Sequence, residues 1–342
     1  MTRSICLLLL VSIILSGCTL TQPTAEKKQY TATFLTLFDT VTTIVGKADS
    51  EAAFQSEAQK VYDDLLRYHQ LFDIYKEYEG LNNLKTVNDS AGIAPVSVDQ
   101  AIIDLLSDCK HYYEDTNGKV NAAMGSVLNL WHEARSDSID DPVNAYLPDQ
   151  TTLKNAGAHT DFDVVIIDEA ASTVYIADPE TRLDVGAIAK GWSVQRVAES
   201  APKGLLISVG GNVCATGPKD ESGTPWVVGI QDPDSGSEYL HTLYVTGGSV
   251  VTSGDYQRYF VVDGNAYHHI IDPATLYPST YWRSVTIVCP DSGLADALST
   301  ALFLMPQPAG QQLLDKFNAE AMWVNAAGEI LYSPGFEALI RT

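Results

Sequence analysis

The sequence has few cysteines, and this shortage narrows the classes of protein to which it could belong. Only five of its 342 residues are cysteine. Beyond Cys6 and Cys18 they are Cys109, Cys214 and Cys289, which are widely spaced and odd in number. No CxxC or Cys/His spacing typical of zinc ligands occurs, and the pattern argues against a disulfide framework.

Positive charge is also scarce. Lysine and arginine together number 21, against 43 aspartates and glutamates, which gives a formal net charge of -22 at pH 7. A surface of this sign repels phosphate backbones, so the sequence predicts no nucleic-acid binding. Any anionic ligand must be held by a local device such as a metal ion, a lysine or backbone N–H groups. Internal repeats are lacking too, so one large domain or two closely packed lobes account for the length.

The one long apolar run lies at the N-terminus, where Arg3 precedes an apolar stretch that ends in Leu15-Ser16-Gly17-Cys18. This stretch is shorter than the roughly 20 apolar residues that a membrane-spanning helix needs. It is typical of a lipoprotein signal peptide over residues 1–17, with Cys18 acylated after cleavage. An ordinary cleaved signal with a chance cysteine is the alternative. Residues 18–30 then predict a polar tether. With Cys18 acylated, we expect the protein to be lipid-anchored on the extracytoplasmic face of the cell membrane.

Helical patterns dominate the first half of the chain and strand patterns the second. An opening strand or hairpin is predicted at residues 31–46, and apolar residues at helical spacing predict a helix over residues 51–72. From about residue 163 onward short strands prevail, with helices near residues 188–199 and 294–304. Helices first and strands later favour an α+β fold over a doubly wound sheet.

A carboxylate and a lysine interrupt the apolar segment Leu183-Asp184-Val185-Gly186-Ala187-Ile188-Ala189-Lys190-Gly191. Both groups are costly to bury without a partner. Small residues leave the backbone bare at a predicted helix start, where N–H groups and the helix dipole favour anions. The segment predicts a phosphate or pyrophosphate site, with Lys190 as its cation and the carbonyl of Ala187 free for a metal. A tight packing corner with an internal Asp184–Lys190 pair is the alternative.

A second polar pair lies in the apolar helix predicted at residues 294–304. Asp296 and Thr300 are four residues apart, so on a helix their side-chain oxygens face the same way. Hard oxygen ligands with no histidine or cysteine nearby favour Mg²⁺ over zinc. Alternatively, Asp296 pairs with an arginine or caps a neighbouring loop.

Two histidines lie in a predicted strand at residues 267–271. Strand alternation places His268 and His269 on opposite faces, so at most one of them should enter a site. That histidine could act as a base near neutral pH, or it could simply be hydrogen-bonded in place. Paired glycines at residues 210–211 and 247–248 either permit close backbone approach to a ligand or mark ordinary turns.

In combination and in this order, these segments resemble the ApbE family of flavin transferases, from about Thr31 to beyond Phe303. The matching blocks are Phe38-Asp39-Thr40, Phe72-Asp73-Ile74-Tyr75, Val120-Asn121-Ala122-Ala123-Met124-Gly125, Leu130-Trp131, Asp184 to Gly191, Ser208 to Asn212, Val251 to Tyr256, His269 to Pro273 and Ala295 to Thr300. The resemblance implies a T-fold-like α+β architecture for residues 31–342, in which two intimately packed lobes surround a flavin cleft.

For the phosphate end of the cleft, the resemblance implies that Asp184 and Lys190 contact FAD. Positive charge there would also stabilise the oxygens of a breaking phosphoanhydride. The implied Mg²⁺ ligands come from both polar segments and comprise the carbonyl of Ala187, Asp296, Thr300 and, in addition, Ser299.

The resemblance further implies a flavin or adenine pocket and a base. The pocket is lined by aromatic and small or apolar residues, namely Phe38, Tyr75, Ala122, Ala123, Met124 and Ile271. His269 is the implied base, which takes the proton from a threonine or serine hydroxyl of a secreted or membrane flavoprotein. Attack of that hydroxyl on the FMN phosphorus would release AMP and leave FMN in phosphoester linkage.

The chain departs from the family pattern at three places. Where many members have Met-Gly-Thr it has Phe38-Asp39-Thr40, Glu79-Gly80 replaces a serine, and Leu276 replaces a common glycine. Two rival functions remain open. One is a magnesium-dependent FAD pyrophosphatase that yields FMN and AMP, and the other is a non-catalytic flavin-binding lipoprotein.

Overall fold

The computed structural model describes residues 27–235 and 238–341. The predicted signal peptide, Cys18 and most of the predicted tether lie outside the described residues. In the described part of the chain, no helix combines the length and the apolar character that a bilayer crossing requires.

The described residues form helices and strands throughout. The α-helices are α1 Glu51–Phe72, α2 Leu84–Asp89, α3 Gln100–Asp115, α4 Gly125–Asp140, α5 Gln150–Gly157, α6 Ala189–Ser200, α7 Ser292–Phe303 and α8 Gln307–Leu314. The strands are β1 Lys28–Leu37, β2 Thr40–Ala48, β3 Val96–Ser97, β4 Val165–Asp168, β5 Thr173–Ile176, β6 Leu205–Val209, β7 Asn212–Ala215, β8 Trp226–Gln231, β9 Tyr239–Val245, β10 Gly248–Gly254, β11 Tyr259–Val262, β12 Asn265–His268, β13 Ile271–Asp272, β14 Tyr277–Pro278, β15 Ser284–Cys289, β16 Glu320–Val324 and β17 Ile330–Tyr332.

Eight strands form one antiparallel sheet in the order β1-β2-β6-β7-β10-β15-β16-β17. Side chains alternate between the two faces along each strand, and both faces are buried in inner strands such as β15 and β16. In β16, Ala321 and Trp323 join one core cluster, whereas Met322 and Val324 join another. Helices α1, α6 and α7 cover the first face, and the β8–β9 hairpin packs on the second.

The remaining elements form a second lobe. It contains the small sheet β3-β5-β4, the hairpins β11–β12 and β13–β14, and helices α2 to α5. Helix α4 and the β11–β12 hairpin pack around Trp131 and Phe260. The largest core cluster includes Leu106 of α3 and Leu298 of α7. The lobes therefore share a core, and the prediction of an α+β fold is confirmed.

The predicted hairpin and the predicted helix over residues 51–72 are both confirmed. The helix begins after Ser50, whose hydroxyl accepts a hydrogen bond from Ala53 N at 3.2 Å and so satisfies one of the free N–H groups of the first turn. Its buried residues Phe54, Ala58, Val61 and Leu65 recur every three to four positions and face the sheet.

The prediction of one strand over residues 267–271 is wrong. Strand β12 ends at His268, and β13 begins at Ile271. The chain breaks here because the backbone groups between the two strands find other partners. Ile270 N donates to His268 Nδ1 at 3.1 Å, and the carbonyl of Ile270 accepts from Ser279 N at 3.1 Å. This break carries His269 out of the strand and towards the cleft between the lobes.

Candidate active site

The segment around Lys190 and the start of α7 lie directly against each other. Gly191 N donates to Asp296 Oδ2 at 2.8 Å. A Cβ atom at Gly191 would collide with the carbonyl oxygen of Ser292 and lie 2.5 Å from Asp296 Cβ. Only glycine therefore lets α6 approach α7 this closely. The two segments from which the sequence predicts a metal and phosphate site are in contact.

Asp296 is buried at this contact, with 4% of its surface exposed. Its Oδ2 accepts from Gly191 N, one of the free N–H groups in the first turn of α6, and from Asn212 Nδ2 at 3.0 Å. Among the described residues, no arginine pairs with the carboxylate and no donor contacts Oδ1. The carboxylate thus caps its neighbour with one oxygen and keeps the other for a further ligand.

Desolvation raises the pKa of Asp296, while Lys190 and the hydrogen bonds from Gly191 and Asn212 act in the opposite direction. Burial of a carboxylate is costly, and a cation on the oxygen that has no protein donor would offset part of the cost.

The other predicted metal ligands surround the same turn. Thr300 lies one helical turn after Asp296 and is half-buried. Ser299 is fully buried and donates to the carbonyl of Asp296 at 2.8 Å, so it accepts from Ser253 at 2.8 Å. The carbonyl of Ala187 precedes the helical bonds of α6, and no backbone donor of the described residues contacts it.

This donor set consists of carboxylate, hydroxyl and carbonyl oxygens, which suit Mg²⁺. Between residues 27 and 341, leaving aside 236 and 237, no group of three or more His, Cys, Asp or Glu side chains could hold a metal. The predicted set is not such a cluster, since it contains a single carboxylate. Mg²⁺ is commonly held by one or two carboxylates together with substrate phosphates and water.

Asp184 and Lys190 flank Gly186 on the cleft side of this contact. Asp184 Oδ1 accepts from Gly186 N at 2.8 Å, and Lys190 Nζ donates to Gly186 O at 3.2 Å. Within the described residues the two side chains form no ion pair, so the alternative of an internal Asp–Lys pair is not what is seen. Desolvation raises the pKa of Asp184, opposed by the Gly186 N–H group and by the nearby cations.

The predicted lining residues Ala122, Ala123 and Met124 are buried beside Asp184, whose N–H donates to the carbonyl of Ala122 at 2.8 Å. Asn121 holds this turn, because its Oδ1 accepts from Ala123 N at 2.8 Å. The predicted residue Ile271 is buried in the same cluster as Met124. These residues therefore form the packed floor of the cleft.

Phe38 and Asp39 form the two-residue turn between β1 and β2, and both have φ of 51°. Left-handed backbone is unfavourable for a bulky residue such as Phe38. The turn is held by a hydrogen bond of 3.3 Å from Phe38 N to His69 Nδ1 and by an edge contact between the two rings. Leu276 also has a positive φ, 61°. Glycine adopts such backbone without strain, whereas Asp39 and Leu276 adopt it at a cost.

Tyr75 forms part of the opposite wall and is 50% exposed. Its ring stacks on His132 of α4 at 5.2 Å, and its N–H donates to Asp73 Oδ1 at 2.7 Å. Partial desolvation, followed by the charge of Asp184, raises the pKa of Tyr75. A cavity of about 600 Å³ opens beside Tyr75, lined also by Gly125 and other residues of α4 and α5.

His269 lies at the base of the β11–β12 hairpin, with its side chain open to solvent. Its Nδ1 lies 3.2 Å from the carbonyl of Arg258. A carbonyl only accepts, so Nδ1 carries the proton, and the lone pair of Nε2 is free. Although the ring reaches solvent, the surrounding protein atoms of the cleft desolvate it in part, and this desolvation, then the charges of Arg258 and Lys190, lower the pKa of His269. His268 is instead directed to Ser279 O at 2.8 Å, so only His269 is placed to act as a base.

Four further residues of the cleft were missed by sequence reasoning, namely Asn212, Arg135, Arg258 and His132. Asn212 carries the only usable signal, since it follows the glycine pair 210–211 that forms the turn between β6 and β7. No sequence pattern marks the other three. Only the approach of α4 to the hairpin brings them to the cleft.

The fold and the site together define a two-lobed α+β protein whose cleft carries a buried carboxylate, several cations and a neutral histidine. The sequence profile of the ApbE family matches residues 38–323. The FAD:protein FMN transferase of Treponema pallidum is 34% identical over 277 residues, 75% of this chain and 75% of that protein. That of Klebsiella pneumoniae is 31% identical over 279 residues, with 77% and 84% covered.

Among solved structures, the crystal structure of the ApbE protein from Thermotoga maritima is similar with a TM-score of 0.81 at 30% identity, covering 92% of this chain and 100% of that one. The chain belongs to the ApbE family.

Proposed function

We propose that this protein is a magnesium-dependent FAD:protein FMN transferase. It transfers the FMN half of FAD to a threonine or serine hydroxyl of a target protein and releases AMP. The observation that carries the proposal is the contact between Gly191 and Asp296. It brings the proposed metal site, which contains one carboxylate, against the first turn of α6, where Lys190 lies. The names of the Treponema and Klebsiella relatives support the same reaction.

Asp296, Thr300, Ser299 and the carbonyl of Ala187 would hold Mg²⁺, which when bound supplies positive charge to the diphosphate oxygens of FAD. Lys190 adds a fixed positive charge beside them. In a protein of net charge -22, such local cations are needed to hold a diphosphate.

His269 Nε2 accepts the proton of the acceptor hydroxyl as its oxygen forms a bond to the FMN phosphorus. The bond between the FMN phosphorus and the bridging oxygen breaks, and AMP leaves with that oxygen and the electron pair. The strained Phe38 turn, Tyr75 and the floor formed by residues 122–124 and Ile271 would position the flavin nucleotide and limit the access of water.

We also propose that Cys18 carries the lipid anchor and that the acceptor is a secreted or membrane flavoprotein. The basis is the apolar stretch that ends in Leu15-Ser16-Gly17-Cys18. Cys18→Ala should move the protein from the membrane fraction to the soluble fraction of cells that express the full chain. Membrane retention of this variant would contradict the anchor.

The transfer reaction is tested by co-expression with a secreted flavoprotein from the same organism. Mass spectrometry should show an acceptor heavier by one FMN group, with protein-bound flavin fluorescence that survives denaturation. The modification should disappear when the transferase is left out. Release of FMN and AMP at equal rates with and without acceptor would indicate the pyrophosphatase instead. FAD retention without any turnover would indicate a flavin-binding lipoprotein.

A further inference from the structure

Two arginines border the cleft. Arg135 lies on α4, and Arg258 lies immediately before β11. Across the described residues, neither guanidinium has a carboxylate within 4.0 Å or a hydrogen-bond partner. By contrast, Arg283 pairs with Asp234 and Asp255. In a chain with 43 acidic residues, two unpaired arginines at one site need a physical explanation.

The hairpin geometry directs Arg258 into the cleft. His269 N donates to the carbonyl of Arg258 at 3.1 Å, next to the Tyr259–His268 pair of the β11–β12 ladder. Residues directly opposite in an antiparallel pair point to the same face. Alternation places Arg258 on the face of Phe260, which packs on α4, while Tyr259 points to solvent. The backbone bond therefore brings Arg258 and His269 together at the open end of the hairpin, where the charge of Arg258 acts on His269.

Helix α4 brings Arg135 to the same region. Trp131 of α4 packs near Phe260, with ring centroids 6.4 Å apart, and Arg135 follows one helical turn later on the same side. Desolvation and the charge of Arg258 lower the pKa of Arg135, whereas Tyr75 opposes them. Two like charges held within electrostatic range are unfavourable unless an anion joins them.

The charges follow an order along the cleft. Lys190 acts on the pKa of Asp296, Asp184 and His269. Arg258 acts on Asp184, on His269 and on Tyr75, and it is not among the causes for Asp296. The hydrogen bonds agree with this order, because Lys190 precedes Gly191, which donates to Asp296, whereas Arg258 is bonded to His269.

We propose that Arg258, reinforced by Arg135, forms a second anion-binding site that contacts the FMN phosphoryl group of the bound dinucleotide. The inference rests on the proposed function and adds a residue to it. Because Arg258 and His269 are joined at the open end of the hairpin and Arg258 acts on the histidine, we place the guanidinium beside the hydroxyl that His269 activates and hence beside the phosphorus under attack. A planar guanidinium donates two parallel hydrogen bonds to phosphoryl oxygens, which a point charge such as lysine does not.

Binding measurements on Arg258→Gln test this site without any acceptor. With Mg²⁺ present, quenching of flavin fluorescence should show affinities for FAD and FMN reduced by about 10- to 100-fold, the range expected for loss of a charged hydrogen bond. AMP affinity, measured by calorimetry, should change by less than about threefold. Arg258→Lys should recover part of the loss. Lys60→Gln, which removes a positive charge from the solvent face of α1, should bind all three ligands normally.

Unchanged FAD and FMN affinity in Arg258→Gln would overturn the proposal, and so would an equal or larger loss for AMP. Because Arg258 is exposed, its replacement should leave the fold intact, and an unchanged melting temperature would verify this. A protein that binds FMN through Arg258 but transfers none would instead contradict the proposed function alone.

A pH profile separates direct action from a structural effect. The charges that act on His269 are those of Arg258, Lys190 and His268. Removing the positive charge of Arg258 should raise the pKa of His269, so the acidic limb of kcat/KM should move to higher pH in Arg258→Gln. In Arg258→Lys the limb should stay in place. Identical limbs in wild type and Arg258→Gln would show that Arg258 does not act at this centre.

Discussion

The two walls of the cleft are built in opposite ways. On one wall, Asp296 and Ser299 are buried where α6 meets α7, and protein groups satisfy most of their hydrogen bonds. On the other wall, Tyr75, Arg258 and His269 are exposed, and each has a polar group that no other described residue contacts. The buried wall fixes a site before any ligand arrives, whereas the open wall offers groups that a ligand must complete.

This difference separates two sources of activity. Groups that are buried and already hydrogen-bonded need not reorganise when charge develops on a ligand. Changes to them should therefore reduce the rate steeply. Groups on the open wall act mainly through the ligand they meet, so changes there should leave the fold alone and affect single steps. The predictions below test this division.

The largest effect is expected from Asp296→Asn. The amide oxygen can still accept from Gly191 and Asn212, but the negative charge is lost, so transfer should fall by about 1000-fold and lose its dependence on Mg²⁺. Mg²⁺ should raise the melting temperature of the wild type and leave that of the variant unchanged. Asp291→Asn removes the same charge at the N-cap of α7 and serves as the control. Equal Mg²⁺ stabilisation of both variants would refute the metal site.

His269→Ala should slow transfer by about 100-fold while FAD binding persists, because a general base typically contributes at least that factor. The lowered pKa keeps the wild-type imidazole neutral at pH 7. Activity of the wild type should therefore hold as pH falls to the ordinary histidine value of about 6.5 and decline only below it. The variant should lack this acidic limb. FAD binding lost together with the rate would show that His269 holds the ligand rather than the proton.

Gly191→Ala should wedge α6 away from α7, because the added Cβ meets the backbone oxygen of Ser292. We expect a loss of about 1–3 kcal/mol in the free energy of unfolding, the usual cost of overpacking, and weaker stabilisation by Mg²⁺. Denaturant titration with and without Mg²⁺ measures both. Gly247→Ala adds a methyl group where nothing lies within 4 Å and is the matched control. Wild-type stability of Gly191→Ala would show that the contact is not tight.

The smallest effect is expected from Asp39→Gly on the open rim. Relief of left-handed backbone at φ of 51° should raise the free energy of unfolding by about 0.5 kcal/mol, since the strain relieved exceeds the entropy that glycine loses on folding. Urea titration measures it. Asp39→Asn removes the same charge and keeps a side chain, so equal stabilisation by both changes would point to charge rather than to strain.

Local pattern made parts of both walls predictable. The helix over residues 51–72 was predicted because its apolar residues recur at helical spacing, and the Asp296–Thr300 pair because four residues make about one helical turn. The broken strand at residues 267–271 could not be predicted, since its interruption depends on acceptors at His268 and Arg258 that the hairpin brings near.

By itself, the sequence determined the α+β class, the family and the residue types of a phosphate and metal site, because these follow from periodicity, composition and ordered local motifs. Only the tertiary structure decided that Gly191 touches Asp296, 105 residues away, that Asn212 shares that carboxylate, and that α4 packs on the hairpin that bears Arg258. Such contacts arise from packing between elements, and no local pattern encodes which distant surfaces will meet.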